Sequence, residues 1–145
     1  MSYVGKPARI TMKPETLADK IQKRIARKQG DVFLRADFES LGGYDQVGRV
    51  LRDLVRQGQL LKLGYGVYAR AIKSPLSGKP MPPKGLATVA EAVERLGIKT
   101  VPTRLEQDYN AGRTTQVPTG RVVGIQGRLR RKLGYNGITL SFERA

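Results

Sequence analysis

Three arginines pose the first question: Arg49, Arg52 and Arg56 fall within an arc of about 60° if the run from Asp45 to Gln57 is wound as a helix. A guanidinium is a planar fork of five donors, suited to phosphate oxygens and to the O6 and N7 edge of guanine. Tyr44, Asp45 and Gln46 stand at the start of the same run. A carboxylate there can accept from a cytosine amino group, and a carboxamide can pair with adenine. The chemistry on offer is base readout, with Tyr44, Asp45, Gln46, Arg49 and Arg52 at base edges and Arg56 on the backbone. The same residues admit a plainer account, in which Asp45 caps the helix and the arginines form a solvated face.

For these side chains to act together, the run must be a helix with its arginines outward. Val47, Val50, Leu51 and Leu54 repeat at i, i+3, i+4 and i+7, which sets the buried stripe on the opposite side. Gly48 interrupts that helix at a cost of about 1 kcal/mol relative to alanine. It implies either the close approach of the preceding helix or the passage of a phosphate. Upstream, Thr16 to Asp19 forms a capping box that starts a helix near Pro14 to Thr16 and lets Gly30 end it. Leu17, Ala18, Ile21 and Ile25 face inward there, while Lys20, Lys23, Arg24, Arg27 and Lys28 face outward. Val32 to Leu34 reads as an extended piece and Ala36 to Leu41 as a short helix. Downstream, Leu60 to Leu63 and Val67 to Arg70 read as strands around a Gly64-Tyr65-Gly66 turn. The order is that of a winged helix-turn-helix over residues 14–72. Its hairpin cations Lys62 and Arg70, with Tyr65 and with Lys20, Lys23, Arg24 and Arg27, are the expected backbone contacts. Tyr65 either projects from the turn or folds back on the core.

Residues 1–13 read as a basic flexible arm carrying Lys6, Arg9 and Lys13. Residues 73–85 read as a Pro-rich linker, since Ser74 to Gly85 holds four of the eight prolines. A small basic α+β domain with an antiparallel sheet is expected over 86–145. Its first helix opens on a capping box at Thr88 to Glu91, ends at Leu96 and is capped by Gly97; a second runs from Thr103 to Ala111. Strands are expected at Arg121 to Ile125, Arg128 to Leu133 and Ile138 to Glu143, with Asn136-Gly137 as a hairpin turn. From Arg113 to Lys132 there are six cations and no acid: Arg113, Arg121, Arg128, Arg130, Arg131 and Lys132. Such a face can track phosphates or dock an acidic partner, and the residues alone do not separate the two.

The 145-residue chain has 27 Lys and Arg against 12 Asp and Glu, a net charge of +15. That imbalance attracts polyanions from a distance. With no cysteine and no histidine, thiol chemistry, disulfides and nearly all zinc sites are excluded. No GxSxG, P-loop or paired-acid motif is present, and Gly112 to Arg121 lacks the spacing of a phosphate loop, so no catalytic, cofactor or metal residues are expected. No apolar run is long enough to span a bilayer, which points to a cytoplasmic, nucleoid-associated protein without a membrane partner.

The stretches GDVFLRADFESLGG and VGRVLRDLVRQGQLLKLGYGVYAR, with TTQVPTGRVV further on, together resemble the AbiEi-type antitoxins of bacterial type IV toxin–antitoxin systems. The resemblance implies an autoregulator whose winged helix binds inverted repeats in its own promoter, and whose distal part counters a nucleotidyltransferase-like toxin. The matched reading positions are Tyr44 to Arg56 and Lys62 to Arg70. The expectation is therefore a non-enzymatic, sequence-specific repressor with double-stranded DNA as partner. A homodimer on the duplex and a cognate toxin are the further partners expected. Two alternatives stand beside it: an antitoxin acting mainly by protein contact, and a structured-RNA-binding protein.

Overall fold

Thr16 opens the first helix by a reciprocal pair of hydrogen bonds. Its hydroxyl accepts from the Asp19 N–H at 3.1 Å, and the Asp19 carboxylate accepts from the Thr16 N–H at 3.1 Å. The bonds from Thr16 hold the Asp19 carboxyl below the usual carboxylate range. In this computed structural model, which describes residues 14–145, the helix is α1 (Leu17–Arg27). The arm expected over 1–13 lies outside the described residues. Strand β1 (Val32–Leu34) follows, then a 3-10 turn (Arg35–Phe38), α2 (Tyr44–Arg56), β2 (Leu60–Gly64) and β3 (Val67–Arg70). The α-helix expected over Ala36 to Leu41 is thus a 3-10 turn. The Asp37 carboxylate accepts from the Leu34 N–H at 2.9 Å and stabilises the tighter winding.

β1, β3 and β2 form an antiparallel sheet in that order, with Val32 opposite Ala69, Phe33 opposite Tyr68 and Leu34 opposite Val67. Because side chains alternate across a strand, this sheet feeds two cores. Phe33, Leu60 and Tyr68 pack with Ile21, Phe38, Val47, Leu51 and Leu54 on one side. Val32, Leu63, Val67 and Ala69 pack on the other, against residues from the C-terminal half.

That half contains β4 (Ile72–Lys73), β5 (Pro80–Met81), α3 (Leu86–Arg95), β6 (Thr100–Val101), α4 (Arg104–Asn110) and β7 (Val122–Ile125). The chain ends with β8 (Gly134–Tyr135), β9 (Ile138–Thr139) and β10 (Ser141–Arg144). The architecture is mixed α+β, as expected, but four local expectations need correction. The proline-rich segment is not wholly irregular: β4 and β5 pair, and the Ser74 N–H donates to the Lys79 carbonyl at 2.9 Å. Helix α3 starts at Leu86, not at a Thr88 cap; Thr88 is buried and accepts from the Lys84 N–H at 3.0 Å. Glu91, the other half of that expected box, accepts instead from the Asp31 N–H at 3.1 Å. The distal sheet, in order β10-β7-β6, is not purely antiparallel, since β10 runs parallel to β7.

The fourth correction concerns Arg128 to Leu133, which form no strand. The ladder from the Asn136-Gly137 turn runs back only to Leu133, whose carbonyl accepts from the Leu140 N–H at 2.9 Å. Beyond it Ser141–Arg144 turn to pair with β7, which leaves this run without its expected partner. Leu129 and Leu133 instead lean on the core four residues apart, and the segment follows the core surface. Asn136 and Gly137 make the expected tight turn, at φ 49° and 81°, between β8 and β9.

The expected boundary at 73–85 does not divide two cores. Val89, Ala92 and Val93 of α3 share one cluster with β1 and β3, and so do Val123, Ile125, Leu133 and Leu140.

Candidate nucleic-acid interface

Helix α2 is built on its apolar stripe: Val47, Leu51 and Leu54 are 1%, 0% and 3% exposed, which fixes the rotation of everything else on the helix. Asp45, Gln46, Arg49, Arg52 and Arg56 are exposed on the other side. Among the described residues Arg49 and Arg52 make no ion pair or hydrogen bond, while Arg56 pairs with Asp53 one turn back. The plainer account of Asp45 does not hold, because Gly43 is the N-cap and has no side-chain cap. Asp45 lies in the first turn, where the helix dipole favours a negative charge.

Gly48 has a local cause whose agent, Arg35, the sequence did not single out. A Cβ there would collide with the Arg35 guanidinium, which crosses the helix at that point. The space is filled from the preceding 3-10 turn, through the Arg35 side chain, so the packing reading of Gly48 holds with a side chain as its agent. Arg35 lies over the Tyr44 ring, 3.5 Å from its centroid, and donates to the Tyr44 carbonyl at 2.6 Å. Its own backbone N–H donates to the carbonyl of Gly66 in the hairpin turn at 3.0 Å. Arg35 therefore ties the start of α2 to the tip of the β2–β3 hairpin. A glycine at a buried helical position was the only hint of it in the sequence.

Tyr65 projects, at 71% exposure, and does not fold onto the core. Its hydroxyl is 3.1 Å from that of Tyr44, itself 61% exposed, so the hairpin tip and the helix start meet at two phenols. The hydrogen bond to Tyr65 raises the Tyr44 phenol above its ordinary range; partial burial adds to this and the Arg35 charge opposes it. From the other side Arg131 donates to the Tyr65 carbonyl at 3.0 Å. Gly64 allows this close approach, since a Cβ there would stand 2.7 Å from the Lys132 carbonyl.

The remaining expected contacts divide. Lys62 is exposed on β2. Arg70 requires correction: it lies at the opposite end of β3 from the turn, and its guanidinium caps α1. It donates to the carbonyls of Ile25 at 2.7 Å and Lys28 at 2.6 Å, and faces Asp31 at 3.3 Å. It is a structural arginine. Lys20, Lys23, Arg24 and Arg27 are exposed on α1 and, with Lys28, Glu15 and Asp37, line a groove of about 500 Å³. Two of the four are engaged, Lys23 with Glu15 and Arg24 with the Asp37 carbonyl (3.0 Å) and the Ser40 hydroxyl (3.1 Å). In the distal half, Arg113 pairs with Asp108 at 2.9 Å and Arg121 is exposed. Arg128, Arg130, Arg131 and Lys132 are exposed too, but on an irregular segment beside the hairpin.

Fold and surface together define a mixed α+β protein that presents one cationic helix face beside a hairpin tip. Residues 16–144 match the model of a family of unknown function, DUF6088, and the chain belongs to that family. No curated protein and no solved structure matches it. Among the described residues no helix is long and apolar enough to cross a membrane, and no cluster of acidic side chains could hold a metal ion.

Proposed function

We propose that the protein reads duplex DNA through a winged helix-turn-helix, with α2 in the major groove and the β2–β3 hairpin as the wing. The observation that carries this reading is the rotation of α2. Its apolar stripe is buried while Arg49, Arg52 and Arg56 stand together in solvent, with the hairpin tip held beside the helix start. A major groove accommodates one α-helix, and arginines on its outer face reach guanine edges and flanking phosphates. Asp45, Gln46, Arg49 and Arg52 then face bases, Arg56 and Lys62 face the backbone, and Tyr65 lies at the minor-groove edge. The resemblance to AbiEi-type antitoxins extends the reading to repression of the protein's own promoter.

Fluorescence anisotropy against the protein's own upstream DNA and a scrambled duplex, at several salt concentrations, tests it. With about six phosphates engaged, log affinity falls against log salt with a slope near about −5. Arg49→Ala is expected to cost about 1–3 kcal/mol on the upstream duplex and to narrow its advantage over the scrambled one, whereas Lys62→Ala weakens both alike. A slope shallower than about −2, or equal sequence-blind losses from both variants, removes the groove assignment.

A further inference from the structure

The segment Arg128-Leu129-Arg130-Arg131-Lys132 carries four cations in five residues, all exposed, and has no regular structure. Among the described residues none of the four makes an ion pair; the single hydrogen bond their side chains make is from Arg131 to the Tyr65 carbonyl. Mutual repulsion at such density opposes folding, so the segment is held by other means. Leu129 packs on the core, Leu133 is 1% exposed within it, and the Lys132 carbonyl abuts Gly64 at the hairpin turn. The result is a strap laid beside the tip of the hairpin, with its charged side chains left in solvent.

We propose that this strap is a phosphate-binding extension of the wing, engaging the backbone of the same duplex beyond the base pairs that α2 covers. The inference rests on the DNA reading above and adds the C-terminal half to its footprint. Placement favours a nucleic-acid backbone over an acidic protein, because Arg131 registers the strap against Tyr65, and Tyr65 against Tyr44 at the start of α2. Charge favours it as well. The sequence has no carboxylate from Leu54 to Ala90, which includes the hairpin, and none from Tyr109 to Phe142, which includes the strap. Arg128 and Arg130 also line a groove of about 390 Å³ with Arg144, Ile125, Leu129 and Phe142, and no acid borders it. Arg131 is a positioning residue in this arrangement, while Arg128, Arg130 and Lys132 are the contacts.

The test compares the full chain with two triple variants on the upstream and scrambled duplexes across salt. Arg128→Ala/Arg130→Ala/Lys132→Ala is expected to make the salt slope shallower by about 2 to 3, at about 0.9 per lost phosphate contact. It is expected to weaken both duplexes to the same degree without lowering the thermal midpoint, since relief of the mutual repulsion favours folding. Lys73→Ala/Lys79→Ala/Lys84→Ala removes the same charge from exposed positions around the β4–β5 ribbon, none of them on the strap, and is expected to change the slope little. Equal changes from the two triples would reduce the effect to net charge and overturn the proposal. An unchanged slope in the first would overturn it too, leaving the strap to an acidic protein. If the unaltered chain binds neither duplex, the groove reading fails before any variant is compared, and the strap proposal falls with it.

Discussion

Arg35 joins more parts of the proposed interface than any arginine on α2. It stacks on Tyr44, bonds to the Tyr44 carbonyl, and lies where a side chain at position 48 would otherwise stand. This makes the effect of Gly48→Ala depend on its background. In an isolated helix the change stabilises by about 1 kcal/mol. Here the added methyl displaces the guanidinium, giving up a cation–π contact of about 0.5–1 kcal/mol and a charged hydrogen bond of about 1.5–3 kcal/mol. Gly48→Ala is therefore expected to destabilise the unaltered chain and to stabilise Arg35→Ala. Urea unfolding of the two single variants and the double variant, referred to the parent, gives the coupling directly, expected at about 2–4 kcal/mol, the sum of the two lost contacts. Full helix-propensity stabilisation in the parent chain would show that the Gly48 gap does not serve Arg35.

Between elements, the joint that matters most is Asp37. Its carboxylate receives Arg95 of α3 at 2.5 Å and faces Lys28 at the end of α1 at 3.7 Å, so it connects three elements across the chain. Burial pushes its pKa up, but the Arg95 bond, the Leu34 N–H and the charges of Arg95 and Lys28 outweigh this and hold it below the usual value. A depressed carboxyl adds stability that is complete above the unfolded-state value of about 3.9 and is lost as pH falls through the lower folded value. The urea midpoint of the parent should accordingly fall more steeply between about pH 5 and pH 3 than that of Asp37→Asn, which starts lower with Arg95 unpaired. Parallel pH profiles would mean the joint carries no linkage. Such joints also mark where sequence reading stops. The helices α1 and α2 and the β2–β3 hairpin were legible because periodicity, caps and turn glycines are local signals. The pairings of Asp37 with Arg95, Asp31 with Glu91 and Tyr65 with Arg131 join residues 58 to 66 positions apart, where no local pattern points to them. Arg128 to Leu133 was misread for the same reason: its alternation suits a strand, but Ser141–Arg144, the partner that the Asn136-Gly137 turn would bring to it, pair with β7 instead.

At the scale of the whole molecule, the β1-β3-β2 sheet has no solvent face. Val32, Leu63, Val67 and Ala69 are 0%, 3%, 0% and 0% exposed because α3 and the segments around β7 and Leu133 cover them. A free-standing winged-helix unit ending near residue 72 would instead leave that face to water. The chain is therefore expected to unfold as one unit, and a fragment comprising residues 1–85 is expected to lose cooperativity, because the helical side of the sheet alone cannot retain it. Urea titrations followed by circular dichroism and by tyrosine fluorescence should superimpose for the full chain. The fragment should show a broad, low-midpoint transition and should bind an apolar dye. If the fragment unfolds sharply at the parent's midpoint, the shared core contributes nothing to holding the hairpin. The hairpin and α2 would then read DNA without the C-terminal half, and the strap would be an addition to an independent module instead of a part of its frame.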